Sequence, residues 1–433
     1  SPAPEADEVR QATAVSSAAT EPLPDVVATA PALQPTAEPQ PPTVVEYNLG
    51  DAFIKQDSYG EDDPLYEMPL RLDGLLGVPA GNESRPLLLI LHGDHPGCPP
   101  DPERGADLWP CTREREQLNY RGFAYLVEEL GAQGFVTVAI NANAEFNPRY
   151  GESPPGERLG QIIELHLGNL VEAAQGGQNQ FGVDLYGRID PHHVAWIAHS
   201  RSAELAGRLI RDRRLDDALT AAYTGYGPVA GLLQTAPTLD LADSLPAADL
   251  PLALILPACD GRVRDLAGQT LYEALRGDPQ RSAPATTLLL EAANHNQFNA
   301  IVTPDLAAAT VSPHCRLSEL LLPREQETFL AAYAADFMAS LFATPQESAA
   351  AAANLGLDSA AVVPQELFGR QARITVSPQA VNEDLLLRPF SAAELSRNLM
   401  GGDVAADNAA LTYCPPGTNL HEVDAALAPC RRL

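Results

Sequence analysis

The sequence is poor in positive charge and almost without lysine. It carries 28 basic residues against 57 acidic ones, for a formal net charge of −29, and Lys55 is its single lysine. A field this negative repels phosphate backbones and anionic membrane surfaces. We therefore expect no nucleic-acid partner.

Long apolar runs are also missing. No stretch approaches the roughly 18 consecutive apolar residues that a membrane-spanning helix needs, so no membrane span is predicted. Residues 1–42 are dominated by Pro, Ala, Thr, Glu and Ser, and they begin without Met. This composition cannot bury enough apolar surface to fold, so it predicts a disordered linker. Such linkers commonly precede secreted domains, and we expect a secreted or cell-surface protein.

The six cysteines include no CxxC pair, which disfavours a structural zinc site. Two pairs each flank a short Pro-containing loop, and the two remaining cysteines are left for each other. The predicted disulfides are Cys98–Cys111, Cys259–Cys315 and Cys414–Cys430. This pairing is inferred from proximity and subtraction, and six reduced cysteines in a cytosolic protein are the alternative.

Between residues 43 and 343, strand-length apolar runs alternate with helical periodicity. The predicted buried strands are Pro86–Leu91, Phe135–Ile140, Val194–Ala198, Leu252–Leu256 and Thr286–Leu290. The predicted helices are Phe123–Leu130, Leu159–Ala174, Ala203–Arg213, Leu266–Leu275 and Arg324–Leu341. Runs near Val44–Tyr47 and Leu70–Val78 predict antiparallel edge strands. Repeated βα units predict an α/β fold with a mostly parallel central sheet and helices on both faces.

Beyond residue 343 the character of the sequence changes. Residues 344–364 are Ala-rich and potentially helical but without a clear apolar stripe, so they are interpreted as a linker. Residues 365–433 are predicted to form a small C-terminal accessory segment that packs on the main domain or associates with a further domain or subunit. The end after Arg431 and Arg432 leaves truncation of a longer product open.

The stretch "VAWIAHSRSAE" places Ser200 directly after a predicted buried strand and before a helix. A tight strand-to-helix turn holds a serine hydroxyl clear of the backbone, and the crowding requires small residues two positions to either side. Ala198 and Ser202 meet that requirement, although neither is the glycine of the usual G-x-S-x-G pattern. Taken alone, the string is also compatible with a plain buried serine.

Polar residues follow three other predicted strands. "HGDH" follows the first buried strand and offers the backbone N–H of Asp94, "CDG" supplies Asp260, and "ANHN" supplies His295. Chemistry in an open parallel sheet lies at the carboxyl ends of the strands. The order of oxyanion loop, Ser200, Asp260 and His295 therefore predicts a nucleophile, an acid and a base that meet at one edge.

These motifs give the chain a resemblance to the α/β-hydrolase superfamily over roughly residues 44–343. "AHSRSAE" resembles the GHSRGGE nucleophile turn of secreted bacterial hydrolases related to dienelactone hydrolases, chlorophyllases and polyester-cleaving cutinases. "ACDGRVRDLAGQ", "ANHNQFN" and "GRIDPHHVAWIAHS" resemble further segments of that group. Ala198 and Ser202 stand where that group has glycine.

The resemblance and the motif order together predict a serine esterase that needs no cofactor and no metal. Ser200 is the expected nucleophile, His295 the base and Asp260 its orienting acid, with backbone N–H groups of Asp94 and Arg201 as oxyanion donors. A strand is also expected near Ala218–Tyr223, and the short excursion over residues 225–249 between it and the strand before Asp260 suggests an open cleft for bulky or polymeric esters. The residues considered for its lining are His95, Tyr223 and Tyr226.

Several alternatives stay open at this point. Asp265 competes with Asp260 but suits the cap of the following helix. His192 and His193 precede the nucleophile strand and are interpreted as structural, and Arg201 is expected to pair with Glu204 on the helix surface. A serine peptidase, or a non-catalytic surface or adhesion protein built on a hydrolase scaffold, is the rival function.

Overall fold

A computed structural model describes the chain over residues 40–100, 109–215, 225–240, 249–263, 267–276, 278, 281–307, 315–357, 366–377, 393, 395–398 and 401–405. The predicted N-terminal linker therefore lies almost entirely outside the described residues. So do Tyr223, Asp265 and the predicted pair Cys414–Cys430.

The described strands form one mixed sheet. They are β1 Thr43–Lys55, β2 Glu67–Val78, β3 Arg85–Leu91, β4 Val136–Ile140, β5 Ile189–His199, β6 Val229–Thr235, β7 Leu252–Cys259, β8 Ala285–Asn294, β9 Glu366–Leu367 and β10 Arg370–Ser377. Their order across the sheet is β1-β2-β4-β3-β5-β6-β7-β8-β10-β9. The central strands from β4 to β8 pair in parallel, whereas the strands at both edges pair antiparallel.

Alternating side chains of the central strands supply two separate cores. In β3, Leu87, Leu89 and Leu91 belong to one apolar cluster, whereas Leu88 and Ile90 belong to the other. Successive side chains of a strand point to opposite faces, so a continuous apolar run requires cover on both sides. The unbroken apolar run "PLLLIL" is therefore buried on both faces of the sheet, as predicted.

Helices provide that cover. They are α1 Ala124–Ala132, α2 Glu157–Ala174, α3 Arg201–Leu215, α4 Ala267–Arg276, α5 Pro323–Phe342 and α6 Pro345–Asn354. Side chains of α1 and α5 lie in the same cluster as Leu88, and those of α2, α3 and α4 lie in the cluster of Leu87. The protein is thus α/β with a mostly parallel sheet between two helical layers. Among the helices described, none is long and apolar enough to cross a bilayer.

One central strand differs from prediction. The open-cleft argument assumed a strand near Ala218–Tyr223, a segment outside the described residues, but the strand between β5 and β7 is Val229–Thr235. Its sequence "VAGLLQT" contains Gly231 and Gln234, which weaken its apolar signature. Residues 225–228 therefore precede a strand of the sheet, whereas the prediction placed them after one.

The predicted linker at 344–364 forms a helix in its described part. The side chain of Glu347 accepts hydrogen bonds from the N–H (3.2 Å) and the hydroxyl (2.8 Å) of Thr344, and Pro345 occupies the first turn of α6. This capping arrangement starts a helix efficiently. Ala351 and Leu355 are then buried, and α6 packs against α5.

Residues 366–377 of the predicted accessory segment continue the main sheet. Strand β10 pairs antiparallel with β8, with Ala372 opposite Leu290 and Thr375 opposite Thr287. Ala372 and Leu367 are buried in the cluster that contains α5. Residues 366–377 therefore pack on the main domain, which was one of the two arrangements expected.

Candidate active site

Ser200 occupies a strained turn between β5 and α3. Its φ of 57° lies in the left-handed region, which residues with a side chain seldom adopt. The turn is held by hydrogen bonds from the Ser200 N–H to the Thr235 carbonyl (2.8 Å) and from the Ala203 N–H to the Ser200 carbonyl (3.0 Å). A backbone outlier of this kind persists only where its surroundings enforce it, and such outliers cluster at functional sites.

The residues that flank the turn are fully buried, as the crowding argument predicted. Ala198 and Ser202 both have an exposed fraction of 0%. The hydroxyl of Ser202 donates a 2.5 Å hydrogen bond to the main-chain carbonyl of His92. Serine therefore fills the place of the usual glycine and also links α3 to the loop after β3.

Asp260, His295 and Ser200 form one continuous hydrogen-bonded chain. Nδ1 of His295 lies 2.8 Å from Oδ2 of Asp260, and Nε2 lies 2.9 Å from Oγ of Ser200. All three side chains are buried, with exposed fractions of 0% for His295 and 6% for Asp260. A carboxylate only accepts, so Nδ1 carries the proton and Nε2 presents its lone pair to the serine hydroxyl.

Backbone groups fix the acid at the other end of the chain. Oδ1 of Asp260 accepts the N–H groups of Arg262 (2.8 Å) and Val263 (2.7 Å), which leaves Oδ2 for His295. Cys259, the preceding residue, is disulfide-bonded to Cys315, and both are buried. The bridge ties the acid loop to the segment that follows the histidine, as predicted.

The loop after β3 packs directly against Ser200. A Cβ atom added to Gly93 would lie 2.7 Å from Cβ of Ser200 and 2.9 Å from Nδ1 of His199. Only glycine permits this approach. Asp94 follows at once, and Arg201 is the first residue of α3, where helix N–H groups have no intrahelical partner. The two predicted oxyanion donors thus come from segments that flank the same serine.

A buried carboxylate that the sequence did not reveal supports this loop. Glu116 accepts hydrogen bonds from Trp109 Nε1 (2.9 Å), Asn141 Nδ2 (3.0 Å) and Asn143 Nδ2 (3.0 Å), and it pairs with Arg71. Burial raises the pKa of Glu116, but these hydrogen bonds outweigh burial and hold the pKa below its ordinary value.

The Cys98–Cys111 disulfide, which was predicted, belongs to the same region. No local sequence pattern marked Glu116, because its partners Asn141 and Asn143 lie 25 and 27 positions away along the chain.

Three more histidines surround the serine, and burial keeps each of them neutral. Nε2 of His92 accepts the Ala142 N–H and its Nδ1–H donates to the Gly93 carbonyl, each at 2.9 Å. Burial lowers the pKa of His92 to about 4. The pKa values of His95 and His199 also lie well below 6.5. Burial is the larger cause, and the neighbouring histidines lower both pKa values further.

The remaining predicted residues separate into two groups. His95 lies at the site, where its ring stacks on that of His199 with centroids 5.4 Å apart. Tyr226 does not line it. Its hydroxyl hydrogen-bonds to Glu164 of α2 and Arg213 of α3, and it precedes β6, so it lies at the amino ends of the strands.

The expected pair between Arg201 and Glu204 is confirmed, and His193 lies away from Ser200. His193 pairs with Asp190 at the start of β5, at the opposite end of that strand from Ser200. Arg201 pairs with Glu204 as its i+3 spacing predicted, and it also pairs with Asp240, each at 3.0 Å. The side chain of Arg201 thus pairs with two carboxylates, while its backbone forms the start of α3 directly after Ser200.

Within the described ranges, no three His, Cys, Asp or Glu side chains are grouped as metal ligands would be. Comparison with models of known protein families gave no match, and comparison with curated proteins gave none either.

Proposed function

We propose that this protein is a secreted serine hydrolase of the α/β-hydrolase superfamily that cleaves carboxylic esters. The single observation that carries the proposal is the chain from Asp260 through His295 to Ser200, with the serine at φ 57° on a strand-to-helix turn. This is the geometry of an activated nucleophile with its base and its orienting acid. The loop after β3 and the order Ser, Asp, His match the superfamily arrangement.

In the proposed mechanism, Nε2 of His295 takes the proton of Ser200 as Oγ attacks the ester carbonyl. Asp260 keeps the imidazole in the required tautomer and stabilises the imidazolium that forms. The backbone N–H groups of Asp94 and Arg201 stabilise the oxyanion, and the positive end of the α3 dipole acts in the same direction. His295 then protonates the departing alcohol, and water cleaves the acyl-enzyme by the same sequence of transfers.

The disulfides support the extracellular part of the proposal, because such bonds persist in oxidising compartments. The preference for bulky or polymeric esters rests on the short segment between β6 and β7, residues 236–251, of which 241–248 lie outside the described residues. A serine peptidase and a non-catalytic scaffold protein remain the rivals. Retention of all three hydrogen-bonded side chains favours an enzyme over a scaffold.

Ser200→Ala tests the proposal directly. With p-nitrophenyl butyrate as substrate, we expect kcat to fall by about 10³-fold or more, with the unfolding midpoint nearly unchanged. Ser340→Ala is the matched control, because Ser340 lies on α5 and its hydroxyl donates to the Phe337 carbonyl. Activity of Ser200→Ala close to that of the control would overturn the assignment. Faster cleavage of peptide than of ester substrates would favour the peptidase.

A further inference from the structure

The ring of His199 contacts two other segments of the proposed active site, the loop after β3 and the segment of His295. It belongs to the residue immediately before Ser200, and it is fully buried. Its centroid lies 5.4 Å from that of His95 in the loop after β3 and 5.0 Å from that of His295. Phe123 and Phe298 enclose it further, with centroids 6.3 and 6.0 Å away.

One of these contacts is directional. Nε2 of His199 lies 3.0 Å from the main-chain carbonyl oxygen of His295. A carbonyl only accepts, so Nε2 carries the proton of the ring and donates it. This bond holds the backbone of the very residue whose side chain must point Nε2 at Ser200. Asp260 orients the ring of His295, whereas His199 orients its main chain.

The other ring nitrogen explains why histidine suits this position. Nδ1 of His199 is buried and has no hydrogen-bond partner among the residues that the structure describes. It faces Gly93, where an added Cβ atom would lie 2.9 Å from it. A protonated Nδ1 would be a buried donor without an acceptor, which costs free energy. The surroundings thus select the neutral ring with its proton on Nε2.

We propose that His199 is a positioning residue, which fixes His295 relative to Ser200 through the hydrogen bond from its Nε2–H to the His295 carbonyl. The inference rests on the proposed function and extends it to a residue outside the Ser200, His295 and Asp260 set. His199 touches neither substrate nor the reacting atoms in this role.

Two isosteric substitutions separate the hydrogen bond from simple packing. In His199→Gln the amide NH₂ stands close to the position of Nε2 and keeps the donor, whereas in His199→Asn it stands near Nδ1 and loses the donor to His295. We expect His199→Asn to lower kcat for p-nitrophenyl butyrate by about 10- to 100-fold with KM within about 2-fold, since a small misplacement of a catalytic group has effects of that size. His199→Gln should retain activity within about 5-fold of wild type.

His166→Gln is the matched control for the loss of a buried histidine. His166 lies on α2, is fully buried and hydrogen-bonds through Nδ1 to the Tyr47 hydroxyl at 2.8 Å. Its substitution should lower the unfolding midpoint without changing kcat. If the Asn and Gln variants of His199 lose activity equally, or if neither loses it, the positioning role is wrong.

A spectroscopic readout keeps this test independent of ester turnover. In the full disulfide-intact chain with ¹⁵N-labelled histidine, His199 should be the neutral Nε2–H tautomer, and the Nδ1–H proton of His295 should exchange faster in His199→Asn than in His199→Gln. An Nδ1–H tautomer for His199, or equal exchange in the two variants, overturns the inference even if the protein cleaves no ester.

Discussion

The hydroxyl of Ser202 donates to the carbonyl of His92 at 2.5 Å, and this bond joins the first turn of α3 to the loop after β3. Both residues are fully buried. The two backbone groups proposed as oxyanion donors, on Asp94 and Arg201, lie on the two segments that this bond connects. The substitution of serine for the usual glycine is therefore a structural element of the site.

We predict that Ser202→Ala destabilises the protein by about 1–3 kcal/mol, because the His92 carbonyl is left buried without this donor. kcat for an activated ester should fall as the two segments lose their link. Ser202→Gly restores the common sequence pattern but should show the same defect. Urea unfolding and ester kinetics measure both effects, and wild-type behaviour of either variant would contradict the role of the hydroxyl.

Gly93→Ala should be severely damaging. The new methyl group would stand 2.7 Å from Cβ of Ser200 and 3.2 Å from the carbonyl oxygen of His199, so the loop after β3 has to move away from the serine. We expect at least a 100-fold loss of kcat/KM, or about 2.7 kcal/mol of transition-state stabilisation.

Gly168→Ala on α2 serves as the control, because among the described residues no atom outside its chain neighbours and its own helix backbone lies within 4 Å of the added Cβ. It should leave activity unchanged and stabilise the helix by up to about 1 kcal/mol. Equal activity of the two alanine variants would show that the approach of Gly93 to Ser200 is unimportant.

Reduction of the Cys259–Cys315 disulfide should lower activity before it unfolds the protein. The disulfide closes a separation of 56 residues, for which chain entropy gives about 4 kcal/mol, and it adjoins Asp260. During titration with a reducing agent, ester hydrolysis should decline at a lower reductant concentration than the far-UV circular dichroism signal. Simultaneous loss of the two signals would argue against a local role, and the Cys98→Ser/Cys111→Ser variant identifies the contribution of the other bridge.

His92 should make the fold sensitive to acid. Its pKa in the folded protein, about 4, lies below the ordinary 6.5. Between these two pH values the unfolded chain is protonated at His92, whereas the folded chain is not. Stability is therefore lost on acidification, by about 2 kcal/mol at pH 5 and about 3 kcal/mol in full.

The test is urea unfolding of wild type and His92→Gln at about pH 7.5 and about pH 5. Glutamine still offers an acceptor for the Ala142 N–H but does not titrate. The drop in unfolding free energy between the two pH values should be about 2 kcal/mol smaller in the variant. The same drop in both proteins would show that His92 does not titrate in this way.

Much of the fold was predictable from local sequence. Continuous apolar runs located β3, β4, β5, β7 and β8, and the three- and four-residue spacing located α1 to α5, mostly within one to three residues at each end. Polar residues that end buried strands were enough to place Ser200, Asp260 and His295 at one edge, because parallel strands bring their carboxyl ends together.

The errors have local physical causes. Strand β6 begins at Val229, and a strand assigned about one element too early placed Tyr226 at the wrong edge of the sheet. The segment interpreted as a potentially helical linker contains a helix at 345–354, and the capping sequence Thr344-Pro345-x-Glu347 marks where it starts.

Other features depend on tertiary structure alone. The contacts of Ser202 with His92 and of His199 with His295 join residues that are 110 and 96 positions apart. No local sequence pattern can therefore predict them.

Stoichiometric labelling with a fluorophosphonate probe, followed by peptide mapping, tests the central proposal most directly. The probe reacts with a serine only when a base activates it. We predict one label per chain, on Ser200 and not on Ser202, with loss of labelling in His295→Ala at unchanged fold. Absence of labelling in the native, disulfide-intact protein would contradict the proposal that the protein is a serine hydrolase and would favour the non-catalytic scaffold.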